Sequence, residues 1–571
     1  MMQINKPLML KGLLPLASCL ILAGCTDDKY DLTDIDTTSR ITVNNLTIPV
    51  NLAPIKLDDV VDLDDNENIS KIEINGEEVF AIQKGGDINT SDFHINGVHV
   101  ASVPVNPTDV NISMPELNIP GINLNDVNIP LPDMPMQQYH INLNNVDPAL
   151  ISIDNVKTTT IKVEVKLSVP ASVMSGNALS FKNFNIKLPW GLVTDDPNYN
   201  QADGTYQVAY LPVDANGMAT LTINATGMDF LGKGTLVNNS LEISDELGIK
   251  SGDINFNLTN VNLGNFNLHA EYSVSAFDLR SFSGDIDYKM DNINIDPIAL
   301  NDLPDFLDNP ETEIRIANPV IKVVINNPVG QYGLKGYGQV KLTSNFQGGN
   351  KTVVESDQFV IEENGANLSF ASPTPGFNEV PFPGLGDILT NSSTGGLPTN
   401  IAVTLENLQF KGHAEDFPIG NIDNAQGNYE FTAPLGFASP SKVVYETTED
   451  GWNSDGLDDV NIEFINLTAE CYTNLPVGVQ LSVNPVDKNG NLIPVTEDSS
   501  KFKVSPYSAG EQVSIRIQGA NGPIRGLDGV RFRAIISQDD PDNEGALGPD
   551  LYIELRNLRA TVDGYYETDF N

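Results

Sequence analysis

The sequence has few cysteines, few histidines and few basic residues. Three Cys and five His in 571 residues are too few for a disulfide-stapled scaffold or for a zinc array of Cys and His. Lys and Arg number 32 against 76 Asp and Glu, which gives a formal net charge of -44. Nucleic-acid binding needs clustered Lys and Arg to neutralise phosphates, so this charge excludes it as the main function.

Helical periodicity is also scarce, whereas apolar and polar residues alternate along much of the chain. The alternation over Ile161–Val169 predicts a strand with one wet face. Hydrophobic residues make up 40% of the chain, enough to form buried cores, and 46 Gly and 36 Pro supply turns. The sequence therefore predicts an all-β fold: several β-sandwich-like domains in tandem, with bulged strands and little helix.

The prediction of bulges comes from an internal repeat centred on asparagine. Apolar residues stand four and two positions before each Asn, and an apolar residue or Pro follows it directly, usually with another apolar residue two positions later. In a regular strand these two groups would face opposite sides of the sheet, whereas an extra residue at the Asn returns them to one side. A strand that passes from one core to another is the alternative. The copies centre on Asn45, Asn155, Asn260, Asn292, Asn318, Asn407, Asn466 and Asn557.

The N-terminus has the layout of a processed signal. Lys6 and Lys11 accompany an apolar stretch, Gly12–Leu22, that is too short to span the roughly 30 Å hydrocarbon core of a bilayer. It ends in Leu22-Ala23-Gly24-Cys25, which resembles the lipobox of bacterial lipoproteins. The resemblance implies cleavage before Cys25, acylation of that residue and stable membrane anchoring. An ordinary signal peptide with a chance Cys is the alternative.

Acidic residues follow Cys25 directly. The segment from Thr26 to Asp36 is polar and acidic, and it predicts a flexible tether. Cys25 followed by Asp27 and Asp28 resembles the export signal of surface-exposed lipoproteins of Bacteroidota. The resemblance implies an outer-membrane protein, held by acyl chains such as palmitate, that faces the cell exterior. A solvated linker on a lipoprotein that faces the periplasm is the alternative.

Changes in composition predict six segments along the chain. The first two are the signal peptide and the tether, the third is a β region rich in Pro and Asn, and the last three are β domains. Their bounds are 1–24, 25–40, 41–135, 139–295, 296–435 and 440–571.

Residues that carry chemistry are sparse. No phosphate-binding Gly loop, Gly-x-Ser-x-Gly motif or paired-His zinc motif occurs. Trp452, in a predicted turn, is a candidate for glycan contact. Asp455, Asp458 and Asp459 form a candidate Ca²⁺ site, with a solvated acidic turn as the alternative. No other cofactor is expected, and Cys471 is predicted to be a buried small apolar residue.

These features predict a lipid-anchored cell-surface protein with a non-enzymatic role in binding, adhesion or assembly. The expected partners are the outer membrane, through the acyl chains, and a glycan or a protein. A carrier of hydrophobic ligands with a β-lined groove is the first alternative. A secreted glycan hydrolase, which needs two facing carboxylates in a cleft, is the second.

Overall fold

The computed structural model describes residues 38–48, 52–60, 69–74, 76–114, 124–230, 232–258, 264–300, 309–316, 318–390, 397–437, 439–452, 457, 459–496, 501–538 and 545–569. Most of them lie in β-strands, which confirms the all-β prediction. One α-helix, α1, spans Leu57–Val60, and 3₁₀ turns span Ala171–Met174, Gly330–Tyr332, Gln347–Gly349 and Leu385–Asp387. Within these ranges, no helix has the length and apolarity needed to cross a membrane.

The strands are numbered in chain order. The first ten are β1 Thr38–Ile48, β2 Ile55–Lys56, β3 Ile69–Ile74, β4 Glu77–Asn89, β5 Phe93–Ile95, β6 His99–Val100, β7 Val103–Pro104, β8 Thr108–Ile112, β9 Leu124–Pro130 and β10 Gln137–Leu143. The next ten are β11 Asn155–Ser168, β12 Asn177–Lys187, β13 Leu192–Val193, β14 Tyr199–Asn200, β15 Thr205–Pro212, β16 Met218–Asp229, β17 Leu241–Leu258, β18 Phe266–Val274, β19 Phe277–Lys289 and β20 Ile293–Ala299.

The remaining strands belong to the second half of the chain. They are β21 Val320–Ile325, β22 Lys335–Asn345, β23 Lys351–Glu355, β24 Phe359–Ile361, β25 Ala366–Phe370, β26 Asn378–Val380, β27 Asn400–Pro418, β28 Gly420–Ile422 and β29 Gln426–Pro434. They continue with β30 Gly436–Phe437, β31 Ser441–Glu449, β32 Asn461–Thr473, β33 Gly478–Val486, β34 Lys501–Val504, β35 Ala509–Ile517, β36 Gly529–Gln538, β37 Gly545–Ala546 and β38 Tyr552–Asp569.

Two sheets at the C-terminal end enclose a core of their own. One has the order β1-β38-β32-β35, with β2 also paired to β38, and the other has the order β31-β36-β33-β34. Apolar side chains from both sheets, among them Ile465 and Val483, pack into one cluster. Strand β1 pairs with β38 from Thr38, opposite Asp569, to Ile48, opposite Ala560. The N-terminal strand is thus the edge strand of the C-terminal sandwich.

Three further sheets share a second, larger core. The largest follows the path β13-β16-β11-β19-β27-β22-β23, and the others follow β10-β17-β12-β15-β14 and β26-β25-β21-β29-β4-β3. Aromatic rings join the sheets: the ring centroids of Phe256 and Phe266 are 6.2 Å apart, and those of Phe359 and Phe370 are 5.8 Å apart. Burial of such large apolar side chains is the main favourable term for folding.

Pairing between strands crosses the segments that composition suggested. Strand β19, in the segment 139–295, pairs with β27, in the segment 296–435. Strands of the segment 41–135 pair with strands of all three later segments: β1 with β38, β4 with β29, and β9 with β17. The segment bounds themselves stay predictions. Long-range strand pairing decides which segments lie next to each other in space, and composition does not encode this pairing.

Bulges occur where an Asn or Asp adopts a left-handed backbone. Six such residues have φ between 49° and 62°, and each lies at a shift in the ladder register where two residues oppose one. They are Asn45, Asp126, Asn183, Asn407, Asp416 and Asn557. Asn and Asp are the side chains that tolerate this region best after Gly.

Strand β27 shows what the bulges achieve. Its buried side chains alternate as Ile401, Val403 and Leu405, then skip one extra position and resume with Leu408 and Phe410. The skipped position contains Asn407, with φ 55°. A second left-handed residue, Asp416, adds the same extra step between Ala414 and Phe417, which are both buried. One face of the strand therefore stays in the core along its length, as the repeat predicts.

The residue opposite each bulge is of one of two kinds. In three bulges it carries a side chain that accepts the backbone N–H of the left-handed residue: Asn45 to Asp563 (2.7 Å), Asp126 to Asn257 (2.9 Å) and Asp416 to Ser283 (3.1 Å). In the other three it is small: Gly252 opposite Asn183, Gly338 opposite Asn407, and Ala469 opposite Asn557. At each bulge, therefore, either the N–H of the left-handed residue has a side-chain acceptor, or the displaced backbone lies opposite a residue with little or no side chain.

The asparagine repeat predicts only part of this pattern. Bulges at Asn45, Asn407 and Asn557 are confirmed. Asn318 is left-handed, with φ 53°, but lies ahead of β21 rather than inside a strand. The predictions for Asn155 and Asn466 are wrong, because both pair in regular register, and that for Asn292 is wrong because it lies between strands. Asn260 lies outside the described residues.

Replacing Asn407 tests the role of the left-handed residue. Asn407→Val should lower the free energy of unfolding by about 1–2 kcal/mol, because a β-branched side chain resists this backbone region. Asn407→Gly should change it by less than about 0.5 kcal/mol. Urea unfolding followed by circular dichroism provides the measurement. Gln409→Val, two residues further along β27, is the control, and an equal loss in both valine variants would contradict the role.

Candidate functional site

A cavity of about 360 Å³ lies where β4, β20 and β29 meet. Lys84–Asp87 and Asn89 of β4 line one side, Ile293–Asp296 of β20 lines another, and Tyr429 of β29 forms a wall. We call this cavity the inter-sheet cleft, because β20 belongs to the largest sheet and β4 and β29 belong to another. Its volume lies at the lower end of the range for ligand pockets, about 300–1,000 Å³.

Two adjacent glycines shape the β4 side of the cleft. Gly86 pairs directly with Tyr429, and a Cβ on Gly86 would lie 2.9 Å from Cε1 of the Tyr429 ring. The ring therefore packs against the glycine backbone, and Tyr429 is only 5% exposed. Burial raises the pKa of its hydroxyl, and the negative charge of Asp296 raises it further. Tyr429 is thus a neutral wall of the cleft, not an exposed aromatic platform.

One edge of β4 lacks a neighbouring strand along the cleft. On one side β4 pairs with β29 from Ala81 to Asn89, whereas on the other β3 pairs only with Glu77–Ile82. The Thr90 N–H donates to the Ala425 carbonyl on the β29 side (3.0 Å). Because bonding direction alternates along an antiparallel ladder, Gly85, Asp87 and Asn89 direct their backbone groups away from β29. Within the described ranges, no strand pairs with that edge.

Strand β20 has the same property. It pairs with β27 alone in the described part of the chain. Thr404 of β27 bonds towards β22, because Val340 directs its own backbone groups to Ser356 on the far side of β22. Leu405 and Val403 therefore bond to Ile293 and Ile295, and alternation directs the backbone groups of Asn294 to the opposite edge. The cleft is therefore bounded by two stretches of strand, each with one unpaired edge.

The charged side chains of the cleft have no ion-pair partners among the residues that the structure describes. They are Lys84, Asp87 and Asp296. Asp87 and Asp296 are exposed, and Lys84 is half-buried. Elsewhere carboxylates are often paired, as Glu311 is with Lys442 and Arg533. In a chain of net charge -44, two unpaired carboxylates beside the cleft favour a ligand with positive charge.

The groups of the cleft suit binding better than catalysis. A glycosidase needs a general acid, which enzymes place in an apolar and water-poor setting, and both aspartates are exposed. The cleft contains no Ser, Cys or His that would form a nucleophile and base pair. Cys471 lies elsewhere and is fully buried, as predicted; burial raises the pKa of its thiol to about 11, so it stays protonated and inert.

Of the sequence-predicted site residues, the structure describes Trp452 and Asp459, and neither lines the cleft. Trp452 is 5% exposed, packs in the core of the C-terminal sandwich and donates its backbone N–H to Asp528 (2.7 Å). A glycan could stack on this ring only if the core opened. Of the candidate Ca²⁺ ligands, Asp459 is exposed, while Asp455 and Asp458 lie outside the described residues. Cys25, Asp27 and Asp28 also lie outside them, so all these site assignments stay predictions.

The residues of the cleft were missed at the level of sequence, although one signal was present. The apolar run Val79–Ile82 is typical of a buried strand, and Gly85 and Gly86 follow it closely. Glycine inside a strand weakens it and often marks a place where a ligand or another backbone approaches closely. The contribution of Asp296 had no comparable signal, because β20 lies about 200 residues further along the chain.

Small apolar cavities lie between the two sheets of the C-terminal sandwich. Three of them have volumes of about 60, 20 and 10 Å³. The first two share Ile55 and Ile553, and the last two share Leu481 and Leu555. This line of cavities is the feature closest to a lipid groove, but each is far smaller than a typical ligand pocket. An acyl chain would fit only after the sheets had moved apart.

Comparison with known proteins provides no family for this chain. No family model matches the sequence, and no curated protein matches it. One solved structure with partial similarity is a protein of Parabacteroides distasonis described as secreted, with 16% identity and a TM-score of 0.36 over 49% of this chain and 89% of that one. Another is the Faustovirus major capsid protein, with 9% identity and a TM-score of 0.06 over 96% and 92%. At these levels neither match supports a statement about function.

Each of the five histidines hydrogen-bonds across a strand pair. The Nδ1 partners are Asn421 for His94, Asp278 for His99, Ser244 for His140, Asp109 for His269 and Asp285 for His413. None of the described residues forms a cluster of three or more His, Cys, Asp or Glu fit for a metal ion. We interpret the histidines as cross-strand contacts on the sheet surface.

His269 makes stability depend on pH. The hydrogen bond to Asp109, with a second to Glu271, raises the pKa of His269 above its usual 6.5. Its contribution is therefore present below pH 6.5 and is lost as pH rises through the raised pKa. His269→Gln should lower the free energy of unfolding by about 0.5 kcal/mol more at pH 5.5 than at pH 9. Urea unfolding at both pH values provides the measurement. Asn267→Ala is the control, and a pH-independent effect of His269→Gln would contradict the pairing.

Proposed function

We propose that this chain is a lipoprotein of the outer membrane, anchored through acylated Cys25 and exposed at the cell surface, where it binds a macromolecular partner without catalysis. The anchor is inferred from the lipobox resemblance, and the exterior orientation from Asp27 and Asp28. The binding role is inferred from the inter-sheet cleft, an open cavity bounded by two strand edges that pair with none of the described strands. That cavity is the observation on which the proposed role depends.

The position of the first strand supports display above a membrane. Strand β1 begins at Thr38, so 12 residues separate it from Cys25. An extended chain of this length reaches about 40 Å. The tether therefore allows the folded body to stand clear of the lipid headgroups while its acyl chains remain inserted. Because β1 is an edge strand of the C-terminal sandwich, the tether is attached to that sandwich and not to the larger core.

Removal of the anchor tests the location. Cys25→Ala should abolish acylation and move the protein from the outer-membrane fraction to the soluble fraction, since the proposed anchor is the acylated cysteine alone. Cell fractionation with immunoblotting, together with metabolic labelling by palmitate, measures both effects. Cys471→Ala is the control and should leave labelling unchanged, because this thiol is buried. A Cys25→Ala variant that stays in the membrane fraction would contradict the anchor.

Removal of the acidic pair tests the orientation separately. Replacement of Asp27 and Asp28 by Ala should leave the protein acylated but facing the periplasm. Protease added to intact cells should then cut the wild type and spare the double variant. Substitution of Asp34 and Asp36 by Ala keeps the same change in charge within the tether and is the control. If the Asp27 and Asp28 variant is cut as readily as the wild type, the acidic pair has no role in export.

The alternative functions differ in what the purified chain binds or converts. A lipid carrier would take up fatty acids, and their entry between the C-terminal sheets would alter the cavity around Ile55 and Ile553. A glycan hydrolase would release reducing sugar from oligosaccharides. The proposed role predicts neither activity. Screening against fatty acids and a panel of oligosaccharides therefore separates the three functions.

A further inference from the structure

We propose that the inter-sheet cleft accepts an extended peptide segment of a partner protein, rich in Lys or Arg, which adds as a strand to the free edge of β4. This inference deepens the proposed binding function by naming the class of ligand. Strand addition is a common mode of peptide recognition, in which main-chain hydrogen bonds provide affinity and side-chain pockets provide specificity.

The backbone of β4 is arranged for such an addition. Gly85, Asp87 and Asn89 direct their N–H and C=O groups to the edge that no described strand covers. Gly85 and Gly86 are exposed and have no side chain, so an incoming backbone can approach closely. The unpaired edge extends from Gln83 to Asn89, which is about 20 Å of strand.

The second wall of the cleft favours an extended ligand. Ile293 and Ile295 of β20 are half-buried and line the cavity, and the backbone groups of Asn294 between them point to an edge that no described strand covers. A segment lying along β4 would therefore have apolar surface of β20 beside it. Alternating side chains of an extended peptide could then contact this apolar surface on one face and solvent on the other.

Charge selects a basic peptide over an acidic one. Asp87 and Asp296 are exposed at opposite walls of the cleft and have no ion-pair partner in the described ranges. Lys84 contributes one positive charge at the end of the unpaired edge. The net charge of -44 repels acidic segments at longer range.

The same observations favour a peptide over a glycan. Sugar rings are commonly held by exposed aromatic faces, and the single aromatic residue among the cleft residues, Tyr429, is 5% exposed and packed against Gly86. The cleft instead exposes the backbone of Gly85 and Gly86. Glycan binding is therefore treated as a competing outcome of the experiment.

The test uses fluorescence anisotropy with the purified full chain in detergent micelles. The probe is a labelled hexapeptide, Lys-Val-Lys-Val-Lys-Val, which favours an extended conformation. A hexapeptide with Glu in place of each Lys tests charge, and one with Pro in place of each Val tests strand formation. We expect saturable binding of the Lys-Val probe, weakened by salt, and no binding of the other two.

Substitutions at Asn89 test how much the free edge of β4 contributes to peptide binding. Asn89→Pro removes one edge N–H without a change in charge, and it should weaken binding by about tenfold or more because the ring also obstructs the added strand. Asn89→Ala keeps the N–H and should bind within about twofold of the wild type. Circular dichroism of each variant checks folding. If Asn89→Pro fails to fold, Asp87→Asn combined with Asp296→Asn provides the second test and should weaken binding and its salt dependence.

Three results would overturn the proposal. The first is the absence of saturable probe binding at concentrations up to about 1 mM, which corresponds to roughly 4 kcal/mol of binding free energy. The second is equal binding by wild type and a folded Asn89→Pro variant, or, where the double aspartate variant is used, equal binding by that variant. The third is binding of a neutral oligosaccharide in the cleft with no peptide binding. Because all measurements use purified protein, they are independent of the Cys25→Ala and Asp27/Asp28 experiments on location.

Discussion

The two-residue period of the β-strand is the constraint on which the structure depends. A long strand that contains an extra residue keeps one face in the core only if the backbone there forms a bulge, so that the side chains beyond it return to the same face. The chain meets the condition with Asn and Asp residues in left-handed backbone, so that strand β27 remains buried on one face across two bulges. Each bulge requires a neighbour that is small or that accepts a hydrogen bond, and the residues opposite the six bulges meet this need.

The same period links the fold to the candidate site. Along β4, alternate residues bond to β29, and the residues between them direct their backbone groups into the inter-sheet cleft. Where β3 stops pairing, these groups have no described partner strand, and Gly85 and Gly86 leave them uncovered by side chains. A sheet that ends in this way usually protects its edge, because unpaired strand edges recruit other strands. We infer that here the open edge is used for recognition.

Local sequence patterns predicted the fold class but not its assembly. Alternation and the scarcity of helical periodicity were sufficient for the all-β fold, since both are properties of neighbouring residues. The asparagine repeat identified Asn45, Asn407 and Asn557 but missed Asn183, which has the same apolar spacing, and Asp126, which shares it with Asp in place of Asn. It also selected Asn155 and Asn466, where the ladder is regular, because tertiary pairing decides whether an extra residue is needed.

Pairing of β1 with β38 joins residues more than 500 positions apart and had no signal in the sequence. The candidate glycan contact at Trp452 relied on a turn assignment, whereas packing buried the ring.

Hydrogen exchange at single-residue resolution along β4 tests the central claim most directly. If strand period controls both burial and the open edge, the backbone amides of Gly86 and Ile88, which bond towards β29, should exchange slowly. Those of Gly85, Asp87 and Asn89 should exchange orders of magnitude faster in the protein without any added peptide. Mass spectrometry with fragmentation that preserves the deuterium label can resolve this alternation. Equal protection of all five amides would mean that another part of the chain already covers the edge, and the account of the cleft would then be wrong.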